Sequence, residues 1–207
     1  MIIIGNMRFS LFQKKMLKRA FTFAEARIVA HEDSPEALRL NIHRWVKKGG
    51  LLRIRRGVFA FPDRACSLPE MVSALYPPAY VSLESALSQG GLLPDAAFET
   101  TLVTPRSTRS FDTVWGRFHF HHIQPRLFFG YDPKTLLAEP EKALLDYLYF
   151  RKTRLSDEPA FWREARFQNL EAIDWDKGGR WRRLYPAGKL ERLWRGLRRY
   201  AKTHRAD

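Results

Sequence analysis

The chain has one cysteine, Cys66, in 207 residues, which excludes an intrachain disulfide and any multi-cysteine zinc site. That scarcity fits a reducing compartment. Long apolar runs are missing too. Residues 1–5 hold three isoleucines, yet no later stretch approaches the ~18 apolar residues of a membrane span, and no signal-peptide core follows. No membrane partner is expected, and we read the protein as cytoplasmic, with Met1 and Met7 both candidate starts. No glycine-rich phosphate loop precedes a helix, and no internal repeat or low-complexity segment is present.

Acidic residues are in short supply at the two ends. Lys and Arg number 36 against 22 Asp and Glu, a net +14, and such a balance suits a polyanionic partner or surface. Residues 1–64 carry a net +9, residues 65–150 a net −3 and residues 151–207 a net +8. The middle is not basic at all. With 45% hydrophobic and 14% aromatic residues the chain is globular rather than disordered, and its length allows one large or two small domains.

The most informative stretch is residues 34–61. Ser34 is a good N-cap, Pro35 fits the first helical position, and Gly49 and Gly50 supply a left-handed stop, leaving room for a helix of about four turns. Leu38, Ile42, Trp45, Val46 and Gly49 fall on one apolar stripe, with Arg39, His43, Arg44 and Lys47 on the other, basic side. Two β-rich runs follow at residues 51–54 and 58–61, around Arg55, Arg56 and a Gly57 that permits a tight reversal. Arg53, Arg55 and Arg56 are expected to project from this hairpin. We read the stretch as the recognition helix and wing of a winged helix-turn-helix. The alternative is an ordinary helix and hairpin with solvated charges.

Upstream, Ser10 and Gln13 make a candidate capping box for a first helix over residues 10–20, and Thr22 and Glu25 another for a helix over 22–30 carrying Phe23, Ala26 and Val29. Three helices and a hairpin within about 55 residues is the winged-helix arrangement. Downstream, Ser67 and Glu70 open a linking helix over 68–75 that Pro77 and Pro78 stop, which places the domain boundary between Pro62 and Pro78. A helix over 82–89 is closed by Gly90 and Gly91. Strands are predicted at 100–104, 111–115, 117–123 and 127–129. Glu139 and Pro140 then open a helix that turns Ala143, Leu144, Tyr147 and Leu148 to a core. Helices at 159–168 and 188–203 complete the chain. In the last one Leu190, Leu193, Trp194, Leu197 and Tyr200 form an apolar stripe and Arg192, Arg195, Arg199 and Lys202 a basic one. The expected fold is α+β, with a winged helix-turn-helix over 8–64, a linker helix over 65–78, and a small mixed α/β domain with a basic helical tail over 79–207.

Three further segments carry a resemblance: YVSLESALSQGG at residues 80–91, TLVTPRSTR at 101–109 and AEPEKALLDYLYFR at 138–151. With the preceding winged-helix stretch, the chain resembles AbiE-type antitoxins, the transcriptional-regulator half of a type IV toxin–antitoxin pair, over roughly residues 10–151. The resemblance implies a winged-helix domain that binds double-stranded operator DNA and represses its own operon, and a C-terminal domain that counteracts a nucleotidyltransferase-like toxin. It implies no enzymatic activity and no cofactor. By match to the recognition-helix and wing positions, Arg39, His43, Arg44, Arg53, Arg55 and Arg56 become candidate DNA contacts. Lys47 and Lys48, at the far end of the helix, are candidate phosphate contacts. Arginine can read guanine bidentately from the helix, and wing arginines can enter the minor groove or clamp phosphates. The arginine-rich tail departs from a minimal version of the pattern, and Arg192, Arg195, Arg199 and Lys202 are a candidate secondary contact for a polyanion or partner.

Other constellations are weaker. His119 and His121 share one strand face, with His122 beside them, but no nearby cysteine or well-spaced carboxylate completes a zinc set, so no metal is expected. Asp95, Asp132 and Lys134 superficially echo a Mg²⁺-dependent nuclease, the alternative function from the enzyme class, although Asp132 precedes Pro133 in a predicted turn. Ser82, Glu84 and Ser85 sit at a helix start, where capping is the expected role. An RNA-binding module is the third reading, since basic charge alone does not distinguish DNA from RNA.

Overall fold

The computed structural model describes residues 7–94, 98–152 and 155–203. They fall into two compact units that divide after Pro77, with residues 113–115 counted to the first. Both helices and strands contribute, as an α+β fold requires. Among the described residues no helix is long and apolar enough to cross a membrane.

The first unit runs α1 (Phe9–Lys15), β1 (Ala20–Thr22), α2 (Phe23–Val29), α3 (Pro35–Lys47), β2 (Leu52–Arg55), β3 (Val58–Ala60) and α4 (Leu68–Leu75). Its sheet has the order β1-β3-β2, both pairs antiparallel. Local signals start three of the helices. Thr22 and Glu25 form a complete capping box, Ser34 accepts from the Ala37 amide with Pro35 at the first helical turn, and Ser67 and Glu70 form a second box. Gly49 takes the left-handed conformation after α3, at φ +75.

The expected first helix over 10–20 is corrected here. Ser10 lies inside α1, the cap position is Arg8 without a side-chain bond, and Gln13 donates to Asp63 at 3.1 Å. The helix stops at Lys15 because Ala20, Phe21 and Thr22 pair with Ala60, Phe59 and Val58 instead. Arg64 reinforces that stop, donating to the carbonyls of Gln13 and Met16 at 2.9 Å each while lying over the Phe61 ring. The core is aromatic: Phe12 contacts Trp45 (4.9 Å) and Phe21 contacts Phe61 (5.4 Å), with Ala26, Leu38 and Ile42 buried around them. Gly50 lets the Phe9 ring close in, since a Cβ there would lie 2.8 Å from it.

The second unit contains β4 (Tyr80–Val81), α5 (Leu83–Gln89), β5 (Thr100–Thr104), β6 (Arg109–Thr113), β7 (Gly116–His122), β8 (Tyr131–Asp132), β9 (Leu137–Ala138), α6 (Pro140–Arg151), α7 (Pro159–Glu164), α8 (Trp175–Arg182) and α9 (Lys189–Thr203). Its mixed sheet has the order β6-β7-β5-β4-β9-β8, with β5–β7 and β4–β9 parallel and β4–β5 and β8–β9 antiparallel. The strand expected at 127–129 is a 3-10 turn, Pro125–Leu127. Pro125 fixes φ and offers no amide to a ladder. β4, β8 and β9 are two residues each and carry no period of their own. The helix α8 was not predicted either. Gly178 and Gly179 argue against a helix by propensity, but Asp174 caps it through the amides of Asp176 and Lys177. A Cβ on Gly178 would lie 2.4 Å from the Trp194 ring, so glycine is what lets α8 close on α9.

α6 is buried nearly all round, including Lys142 and Asp146, whose side chains are both 0% exposed. The Lys142 ammonium is paired with the Asp146 carboxylate. It also donates to Tyr185 Oη at 2.8 Å, while Tyr185 and Tyr80 hydroxyls donate to Asp146 at 2.7 and 3.0 Å and Ser82 Oγ at 2.8 Å. Burial pulls the lysine pKa down, with Asp146 opposing it, and pushes both tyrosine pKa values up. The expected capping role of Ser82 is corrected by this bond. Thr101 Oγ1 accepts the Ser85 amide in its place, at 3.1 Å. Replacing Lys142 with Met should lower unfolding stability by about 3–5 kcal/mol, because it strands a buried carboxylate. Urea titration checks this, and a loss below ~1 kcal/mol would show that the pair is dispensable.

Candidate nucleic-acid interface

α3 buries Leu38, Asn41, Ile42 and Trp45 and turns its other side to solvent. Arg39, His43, Arg44, Lys47 and Lys48 are all exposed there. Leu40, 57% exposed on the same side, is an apolar residue that charge-based reading passed over. Arg39 rests over the Phe23 ring at 5.0 Å and lies 3.4 Å from Glu36. A surface pair of this kind contributes at most about 1 kcal/mol, so Arg39 is oriented rather than neutralised. Among the described residues, His43, Arg44, Lys47 and Lys48 have no carboxylate within 4 Å.

The hairpin brings Arg53 to the same place. Arg39, His43 and Arg53 rim a groove of about 230 Å³ whose floor is Phe23, Ile42, Val46 and Phe59. Arg56 is exposed at the turn, where Gly57 has φ +78. Arg55 behaves differently from the expected projection. β2 is bulged between Arg53 and Arg55, which pair with Phe59 and Val58, so Ile54 is an extra residue and the two arginines do not share a face. The Arg55 guanidinium is half-buried and donates to the Leu75 carbonyl at 2.6 Å, holding the end of α4.

On α9 the apolar stripe packs inward, with Leu190, Leu193, Trp194 and Leu197 buried and Tyr200 half-buried, and Arg192, Arg195, Arg199 and Lys202 are exposed. Part of that charge is answered within the unit: Arg195 lies 2.6 Å from Glu191 and Arg192 4.0 Å from Asp157. Sequence reasoning missed Arg180, Arg182 and Arg183, because it missed α8.

The three segments behind the family resemblance meet in space. Ser82 bonds Asp146, Ser85 bonds Thr101, and Arg151 holds Glu84 at 2.6 and 3.1 Å. Their polar residues mostly hold the unit together. Asp132 accepts the amides of Lys134 and Thr135, which makes it a turn residue, and Asp95 lies outside the described residues. His119 stacks on His121 at 4.1 Å and pairs with Glu99 at 3.2 Å. Among the described residues no group of three His, Cys, Asp or Glu side chains converges to hold a metal.

Comparison with models of known families matches none to this chain, and no curated protein matches it significantly.

His121 is 9% exposed, and its buried Nε2 has no hydrogen-bond partner among the described residues. Burial above all, then His119 and Arg151, drops its pKa to about 4. An unfolded histidine titrates near ~6.5, so the unfolded chain takes up the proton first as pH falls. This group's contribution to stability is therefore intact above ~6.5 and is lost progressively down to about 4. Thermal melts of His121→Phe should show a smaller loss over that window than the parent; equal losses would mean that His121 is not buried neutral.

Proposed function

We propose that the protein is a sequence-specific DNA-binding repressor built on a winged helix-turn-helix, and that its second unit serves as the antitoxin half of a type IV pair against a nucleotidyltransferase-like toxin. One observation carries the DNA reading: Arg53 of the hairpin and Arg39 and His43 of α3 rim a single groove, with exposed Arg44 and Lys47 continuing along the helix. The element order α1-β1-α2-α3-β2-β3 and the sheet order β1-β3-β2 support it, because they match a winged helix-turn-helix in which α3 would enter a major groove and β2–β3 would serve as the wing. Exposed Leu40 supplies an apolar contact for a thymine methyl. The antitoxin half rests on the resemblance of residues 80–91, 101–109 and 138–151 to AbiE-type antitoxins, and co-expression with a neighbouring nucleotidyltransferase-like gene tests it through rescue of growth.

The DNA reading is tested by gel shift on the protein's own upstream duplex against a scrambled duplex at ~150 mM salt. A preference of ~10³ or more is expected, and equal binding would reduce the basic face to a general polyanion grip. Arg39→Ala should cost about 1–3 kcal/mol and relax the preference at one base position, whereas Lys47→Ala should weaken both duplexes alike and lower the salt slope by about one. Arg55→Ala should lower the melting temperature while leaving the preference in place, because its guanidinium is bound to Leu75. If Arg55→Ala instead abolishes the preference in a stably folded protein, the wing is docked differently from this geometry.

A further inference from the structure

The α8–α9 face of the second unit holds two adjoining clefts, of about 540 and 570 Å³. They share Trp175, Asp176 and Arg198 as a common wall. The first is lined by Arg180, Arg182, Arg183, Arg195 and Arg198 against only two carboxylates, Asp176 and Glu191. Glu191 pairs with both Arg182 and Arg195, and Asp176 holds Arg198 at 3.0 Å. These pairs orient the guanidiniums before any ligand arrives, Arg182 most firmly because its side chain is only 17% exposed. Arg180 and Arg183 are exposed and, among the described residues, have no carboxylate within 4 Å; Asp174 feels Arg180 only through its longer-range field. Trp175 is half-buried, set 5.0 Å from Trp194, and presents its remaining surface to the clefts. In the second cleft, exposed Glu171 and Asp174 stand beside Lys202.

We propose that this pair of clefts is a binding track for single-stranded RNA. Planar guanidiniums match phosphate oxygens bidentately, and an aromatic wall between two depressions is a stacking platform for a base. Two linked clefts suit a strand of successive nucleotides better than one mononucleotide, and a base can stack on the Trp175 platform only when it is not already paired and stacked in a duplex. The carboxylates of the second cleft would repel a phosphate but accept from a ribose 2′-hydroxyl, which selects RNA over DNA.

The test titrates the full chain with fluorescein-labelled octauridylate at ~150 mM salt. Saturable binding is expected, with log affinity falling against log salt at a slope near −2, as for about three phosphates on a single strand. The double variant Arg180→Glu/Arg183→Glu should weaken it by at least ~10-fold, and Trp175→Ala by ~5- to 100-fold. Arg126→Glu/Lys134→Glu makes the same charge change elsewhere in the unit and should alter binding by less than ~2-fold. A loss in this control equal to that of the Arg180/Arg183 pair overturns the site, as does unchanged binding in that pair. Octathymidylate binding as tightly as octauridylate, or equal competition by a duplex of the same length, overturns the assignment to single-stranded RNA. Photocrosslinking of the unsubstituted chain to a bromouridine oligomer reads the site without any variant. Adducts around Trp175 are expected, and adducts confined to α3 overturn the proposal.

Discussion

The second unit depends on one buried ion pair. Asp146 receives Lys142 and Tyr185 on one oxygen and Tyr80 and Ser82 on the other, so both lone-pair sets of the carboxylate are used. Those four donors come from α6 itself, from the segment after α8, from β4, and from the start of α5. A charge taken wholly out of water survives only if it is paired and its remaining hydrogen-bonding capacity is filled. The requirement works in reverse as an assembly condition: each element must arrive in its own place for the carboxylate to be satisfied. β4 is only two residues long, yet its Tyr80 is fixed by this bond and by stacking on Tyr131 at 4.6 Å. The pair thus specifies position more than it adds stability.

The legible parts of the sequence were those where a few consecutive residues decide the outcome. Thr22 with Glu25, Ser34 with Pro35, and Ser67 with Glu70 each start a helix by local hydrogen bonds, and Gly49 and Gly57 each need a positive φ. β5 was legible to the residue, because four of its five residues are β-branched Thr or Val. What failed was set by partners distant in sequence. The first helix was expected to run through to Ala20, but β3 offers Ala20, Phe21 and Thr22 a ladder and Phe21 a fully buried slot. Ser10 and Gln13 have the spacing of a capping box and not its location. Arg55 was misdirected by a bulge, which no single-strand pattern announces.

The same contrast runs through α6. A helix with one core-facing stripe was expected, and Ala143, Leu144 and Leu148 are buried as that stripe requires. Glu141, Lys142, Leu145 and Asp146 are buried as well, because α8 and α9 cover the side that a two-layer domain would leave wet. Glu141 is answered by Lys177 at 2.9 Å and by the Asp174 amide at 2.9 Å, both from the region of α8. The signal available in the sequence was Asp174, an N-cap residue followed by a tryptophan. The two glycines downstream obscured it, and the reason for Gly178, contact with Trp194, exists only in three dimensions.

Two basic faces therefore differ in kind although their charge is similar. On α3 the cations stand largely without carboxylates, so their field reaches outward, weakens with salt, and leaves the side chains free to adjust to a phosphate or a base. On α8 and α9 acidic residues pair with several guanidiniums, which lowers the outward field and biases their direction. An unpaired face favours encounter with a long polyanion, where many weak contacts form at once. A pre-oriented one favours a ligand that must fit, because the entropy of ordering those side chains has already been lost in folding. Net charge alone does not distinguish the two ends of the chain; the pairing of that charge does.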